Sequence, residues 1–180
     1  MRWFLLFLGS LALLPAWGQT IEVERVKVHL DEEVYWLDAD VHYDLSDEAL
    51  EALHHGIPLT LTLEIEIFRP RPFLWDEKVA AVELSFRLSY HPLGKQYEVE
   101  NLHTGVKRSF PSLEEALRAL GRVRHFPMLD KRLLEVGRRY KARLRARLDL
   151  DALPIPLRLM AYLSPAWHLK SDWYTWTLPS

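Results

Sequence analysis

The chain has 180 residues, 49% of them hydrophobic and 12% aromatic, with 23 basic against 25 acidic side chains and no cysteine. That is enough apolar material for one well-formed core, and the near balance of charge excludes a globally basic nucleic-acid binder, so any charged site must be local. Without cysteine there is neither a disulfide nor the lipidated cysteine of a lipoprotein.

Arg2 precedes an apolar stretch from Trp3 to Leu14 that only Gly9 and Ser10 interrupt, and no further charge occurs before Glu22. Pro15 then leads into Ala16-Trp17-Gly18, which sets small residues at the two positions a signal peptidase reads. Residues 1–18 are therefore expected to be a cleaved signal peptide, and residues 19–180 a single β-rich domain beginning at Gln19. The apolar stretch falls short of the ~20 residues of a membrane anchor, and no later segment approaches that length. The expected location is a Gram-negative periplasm, with no transmembrane segment after cleavage.

Ile21 to Leu30 is a first strand candidate. Between Tyr35 and Leu45 the apolar Tyr35, Leu37, Ala39, Val41, Tyr43 and Leu45 alternate with Trp36, Asp38, Asp40, His42 and Asp44, the period of a half-buried strand. Ser46, followed by Asp47 and Glu48, caps a short helix that Gly56 closes. Leu59 to Ile67 and Ala80 to Tyr90 repeat the alternation, and the proline-rich Phe68-Arg69-Pro70-Arg71-Pro72-Phe73 between them reads as a stiff link or the end of an edge strand. Gln96 to Asn101 is a shorter strand. Ser112-Leu113-Glu114-Glu115 is a capping box for a helix ended by Gly121, and Asp130 is the N-cap candidate of a third helix reaching Gly137.

Tyr140 to Leu150 alternates Tyr140, Ala142, Leu144, Ala146 and Leu148 with Lys141, Arg143, Arg145 and Arg147. A strand is preferred there, since a helix would scatter Arg and Leu over every side, although Ala, Arg and Leu are also good helix formers. Leu157 to Leu163 reads as a strand, and Trp167 to Leu178 as one or two. Strands joined by short turns, with helices confined to connections, predict a mainly β fold: an antiparallel β-sandwich, Ig-like in general architecture, with two or three short connecting helices. A half-open barrel is the alternative.

Several short motifs follow one another in order: His55-Gly56-Ile57-Pro58-Leu59, Arg69-Pro70-Arg71, Trp75-Asp76, Tyr90-His91-Pro92-Leu93, Tyr97-Glu98-Val99, Phe110-Pro111-Ser112-Leu113 with Ala116-Leu117, Leu148-Asp149, Leu153-Pro154-Ile155-Pro156-Leu157-Arg158 and Trp167-His168-Leu169-Lys170-Ser171-Asp172-Trp173. Together they resemble the domain of unknown function 4390 family, small exported proteins of Gram-negative bacteria. The resemblance covers most of the chain after residue 18, assigns no catalytic residues, and suggests an accessory role beside a two-component sensor kinase.

Candidate chemistry lies in four places. Asp38, Asp40, His42 and Asp44 share one face of a strand at a spacing from which alternate residues share a cation, but a straight strand splays its ligands, so a solvated face is the preferred reading and no metal is assigned. Arg139, Lys141, Arg143, Arg145 and Arg147 form a basic stripe whose mutual repulsion calls for an acidic neighbour: Glu64, Glu66, Glu98 or Glu100 across the sheet, or an anionic partner. His54 and His55 suit the negative C-terminus of the first helix better than a metal. Trp167, Trp173, Tyr174 and Trp176 crowd the C-terminus, with Trp173 and Trp167 expected to complete the core while Tyr174 and Trp176 share the other face.

No HExxH, no glycine-rich phosphate loop and no GxSxG elbow occurs. The expected function is a non-catalytic periplasmic binding or accessory module linked to envelope sensing, needing no cofactor. Its expected binding residues are the basic stripe and the C-terminal aromatics, and its expected partner an envelope protein or anionic ligand rather than nucleic acid. The alternative is a metal-dependent or hydrolytic periplasmic enzyme.

Overall fold

Alternating side chains organise the chain into nine antiparallel strands among the residues described by the computed structural model, 21–179. The expected signal peptide, residues 1–18, lies outside them. The strands are β1 (Ile21–Asp31), β2 (Val34–Tyr43), β3 (Leu59–Arg69), β4 (Glu77–His91), β5 (Gln96–Asn101), β6 (Lys107–Phe110), β7 (Arg122–Asp130), β8 (Lys141–Leu148) and β9 (Tyr174–Thr177). They form a three-stranded sheet, β1-β2-β7, and a six-stranded sheet, β6-β5-β4-β3-β8-β9. Three short helices connect them: α1 (Asp47–His54), α2 (Leu113–Gly121) and α3 (Ile155–Leu163).

The expected sandwich is therefore present, and its core follows the alternation. Tyr35, Leu37, Ala39, Val41 and Tyr43 of β2 meet Leu61, Leu63, Ile65 and Ile67 of β3 and Ala142, Leu144, Ala146 and Leu148 of β8 in one buried cluster. The sheets converge where β1 passes within 8 Å of β8, and α2 spans the opposite side, touching β2, β5, β6 and β7.

Both serine caps form as the sequence implied: Ser46 Oγ accepts from Ala49 N at 3.2 Å and Ser112 Oγ from Glu115 N at 3.2 Å. Gly56, at φ +84°, turns the chain out of α1. Gly121 serves a different need. A Cβ there would lie 2.0 Å from the carbonyl oxygen of Val41, so only glycine lets α2 lie against β2.

Three expectations are corrected and a fourth, the C-terminal strand, is narrowed. Leu157–Leu163, expected as a strand, lies in α3. Prolines 154 and 156 fall at its start, where a missing N–H costs nothing, and Leu, Met and Ala carry it on. The helix expected from Asp130 to Gly137 is one 3-10 turn, Lys131–Leu133: Asp130 does cap it, accepting from Arg132 N at 2.9 Å, but the turn goes no further. Strands β6 and β7 were not expected. They are short or irregular, β7 carrying Pro127 and a bulge that removes the period-2 signal. Trp167–Leu178 holds a single four-residue strand, β9, preceded by a 3-10 turn at Pro165–Trp167.

Candidate functional site

The basic stripe divides into two parts. On β8, Ala142, Leu144 and Ala146 face the core, so Arg143, Arg145 and Arg147 stand on the outer face of the six-stranded sheet. The β3 register sets Glu66 opposite Arg143 and Glu64 opposite Arg145. Arg143 Nε donates to Glu66 at 2.7 Å, Arg145 Nε donates to Glu64, and Arg147 Nε reaches the other Glu64 oxygen at 2.5 Å. Arg147 also meets Asp149 at 3.0 Å, and Lys78 meets Glu66 at 3.1 Å. Burial opposes ionisation of Glu64 and Glu66, but the guanidinium hydrogen bonds and charges outweigh it and hold both carboxyls below the usual glutamate range.

Glu98 and Glu100, the other expected partners, bind Lys107 at 3.0 Å and Arg87 at 3.0 Å instead, because β4 and β3 separate β5 from β8. Trp173 then covers the stripe, its ring 4.2 Å from the Arg143 guanidinium and 4.4 Å from that of Arg145. This reverses part of the aromatic expectation. Trp176, paired with Ala142, packs toward the core with its Nε1–H unpartnered, and Trp173 takes the outer face; Trp167 is buried as expected. Tyr174 sits on the same side as Trp176, their rings 6.3 Å apart.

Arg139 and Lys141 have a different setting. They line a groove of about 850 Å³ at one end of the sandwich, between Arg69-Pro70-Arg71-Pro72 on one wall and Gly137 to Lys141 with Thr177 on the other. Five of its ten lining residues are Arg or Lys and none is acidic. Arg69 bridges Glu77 at 2.6 Å and Glu135, tying the two walls together, and Arg138 meets Glu135 at 3.5 Å. Among the described residues, Arg71, Arg139 and Lys141 enter no ion pair with a carboxylate. Arg69, Arg71 and Arg138 were not singled out in the sequence as binding residues. The available signal was basic residues alternating with prolines just before Phe73-Leu74-Trp75.

The acidic strand face is used internally. Asp40 lies between Arg25, at 2.5 Å, and Arg124, and the Arg124 hydrogen bond leads in holding its carboxyl below the usual aspartate range. Asp38 Oδ1 accepts from the His125 backbone N–H at 2.7 Å and so fixes the β7 bulge, where His125 has φ +50° and stacks on Trp36 at 3.9 Å. His42 and Asp44 are exposed. Among the described residues no three His, Asp or Glu side chains converge as metal ligands would. His55 Nδ1 donates to the Glu51 carbonyl at 2.8 Å, the expected cap, whereas His54 Nε2 lies 2.8 Å from the Tyr97 hydroxyl. Buried Ser171 is structural: its Oγ accepts from Ala146 N at 2.9 Å and donates to Asp172 O at 2.8 Å.

Fold and site thus define a small two-sheet β-sandwich whose basic stripe is neutralised on the outer sheet face by Glu64, Glu66 and Asp149 and, among the described residues, runs on into an end groove lined by five basic side chains. The chain belongs to the family described as Domain of unknown function (DUF4390), whose profile matches residues 18–177. Comparisons with curated proteins and with solved structures give no match. Among the described residues, no helix is long and apolar enough to cross a membrane.

Proposed function

We propose that this protein is an exported, non-catalytic binding or accessory module of the cell envelope, and that it recognises an anionic partner through the end groove. Export rests on the charge, apolar stretch and small-residue pattern of residues 1–18. The observation that carries the binding reading is the groove's lining, five basic side chains and no carboxylate. Arg143, Arg145 and Arg147, by contrast, already have Glu64, Glu66 and Asp149. Arg139 and Lys141 are therefore the members of the stripe available to a partner, joined by Arg71. A link to envelope sensing fits a module that reports a bound anion to a neighbour.

Inorganic polyphosphate serves as the probe. Wild-type protein should bind it at low salt and release it at high salt. Arg139→Glu with Lys141→Glu should abolish that binding with the circular dichroism spectrum unchanged, while Arg143→Glu with Arg145→Glu should lower thermal stability. Full binding by the Arg139/Lys141 double variant overturns the groove as the site.

A further inference from the structure

The groove opens beside an unusual hairpin tip. Between β3 and β4 the chain turns through Phe73, Leu74 and Trp75, whose relative exposures are 106%, 64% and 87%. Across the groove, in the β7–β8 connection, Leu133 and Val136 stand at 75% and 102%. These five large apolar side chains belong to two segments, 69–78 and 130–141, that carry eight basic and four acidic residues in a chain with 23 and 25 overall. The two segments form one platform. Arg69 ties Glu77 to Glu135, and the Glu135 N–H donates to the Tyr140 hydroxyl at 3.0 Å.

Shape and charge together select the occupant. The tip is convex, so it offers a partner no pocket, and three consecutive bulky apolar side chains in water are costly unless something covers them. Pro70 and Pro72 remove two backbone donors beside it, which disfavours the addition of a strand at this edge. A Trp-Phe-Leu tip surrounded by unpaired Arg and Lys matches instead the boundary of a bilayer. There aromatic rings sit at headgroup depth, aliphatic groups reach the acyl chains and cations meet phosphates.

We infer that this end of the sandwich docks on an anionic phospholipid surface, with Phe73, Leu74 and Trp75 inserted and Arg71, Arg139 and Lys141 on the lipid phosphates. The inference rests on the groove reading above and names its partner. Neither component suffices alone: a few basic groups give weak, salt-sensitive attraction and a short apolar tip gives marginal insertion, so the pair supplies the two signals that stable peripheral binding needs.

Flotation with vesicles of phosphatidylcholine, with and without phosphatidylglycerol, tests it. Wild-type protein should float only with the anionic vesicles and come off at high salt. Phe73→Asn with Trp75→Ser, in which asparagine tolerates the φ of +64° at position 73, should weaken partition by about tenfold or more while leaving polyphosphate binding intact. Arg139→Glu with Lys141→Glu should weaken both, at roughly fivefold for each basic group lost in the vesicle assay. Leu163→Ser, on the exposed face of α3 at the other end of the sheet, should float like wild type. The inference is overturned if wild-type protein ignores anionic vesicles at low salt, if the tip variant floats unchanged, or if Leu163→Ser matches the tip variant's loss. Groove-dependent polyphosphate binding without flotation would leave the groove reading standing and reject the bilayer. So would tip-dependent capture of an envelope protein without flotation.

Discussion

Glu64 is the keystone of the outer sheet face, and replacing it with glutamine isolates its charge from its shape. Its two oxygens accept from Arg145 and Arg147, and its side chain is only 15% exposed against 31% and 26% for theirs. At a charge separation of about 4 Å and an effective dielectric of about 20, each contact is worth about 4 kcal/mol before desolvation. Desolvation and solvent screening remove most of that. Exposed pairs measure about 0.2–1 kcal/mol, whereas removing one partner of a fully buried pair costs about 3–5 kcal/mol. Glu64→Gln lies between, because it leaves Arg145 without its carboxylate beneath Trp173 and Arg147 with Asp149 alone, both still within reach of water. A loss of about 2 kcal/mol is expected, a drop in Tm of roughly 4–8 °C for a domain of this size. Thermal unfolding followed by circular dichroism reads it directly, and at high salt the gap to wild type should narrow. A Tm within about 1 °C of wild type at low salt would refute the claim that internal pairing, rather than a ligand, balances the stripe.

Three other outcomes follow from the same structure. Gly121→Ala forces a Cβ to 2.0 Å from the Val41 carbonyl oxygen, so α2 must shift; a cost of about 1–3 kcal/mol is expected in urea unfolding. Glu64 and Glu66 have folded-state pKa values below the ordinary 4.5, and Asp40 below 3.8, so their stabilisation is complete above about pH 4.5 and is lost as pH falls through the lowered values. Tm should therefore be flat from neutral pH down to about 5 and fall below it, with a shallower fall in Glu64→Gln; a Tm that rises on acidification contradicts the assignment. N-terminal sequencing of the protein recovered from periplasm should begin at Gln19, and a membrane-bound form retaining Met1 would reject export by a cleaved signal.

The strongly alternating segments were legible because each has one face in the core. Tyr35 to Tyr43, Leu59 to Ile67 and Tyr140 to Leu148 announce both their strands and their buried sides, and the serine caps of α1 and α2 announce where helices start. Legibility failed where local pattern and tertiary use part company. Leu157–Leu163 is rich in apolar residues because it is a helix with a buried side at Ala161 and a bare outer face, and no period-2 argument distinguishes that from a short buried strand. β7 lost its alternation to the bulge that Asp38 holds.

Sequence alone determined the composition of the core, the two-sheet character, the basic stripe and a set of four candidate acidic neighbours, Glu64, Glu66, Glu98 and Glu100, since these depend on residue type and spacing along one strand. Only the tertiary structure decided which acids those were, because strand order is a long-range outcome: β8 beside β3 delivers Glu64 and Glu66 to Arg143, Arg145 and Arg147, and leaves Glu98 and Glu100 with two strands in between. The same order carries Lys141 to the end of β3, so that Arg139 and Lys141 meet Arg69 and Arg71, some seventy residues distant in the chain, across one groove. Charge is a property of the sequence, but whether a charge is neutralised or available depends on which strands become neighbours.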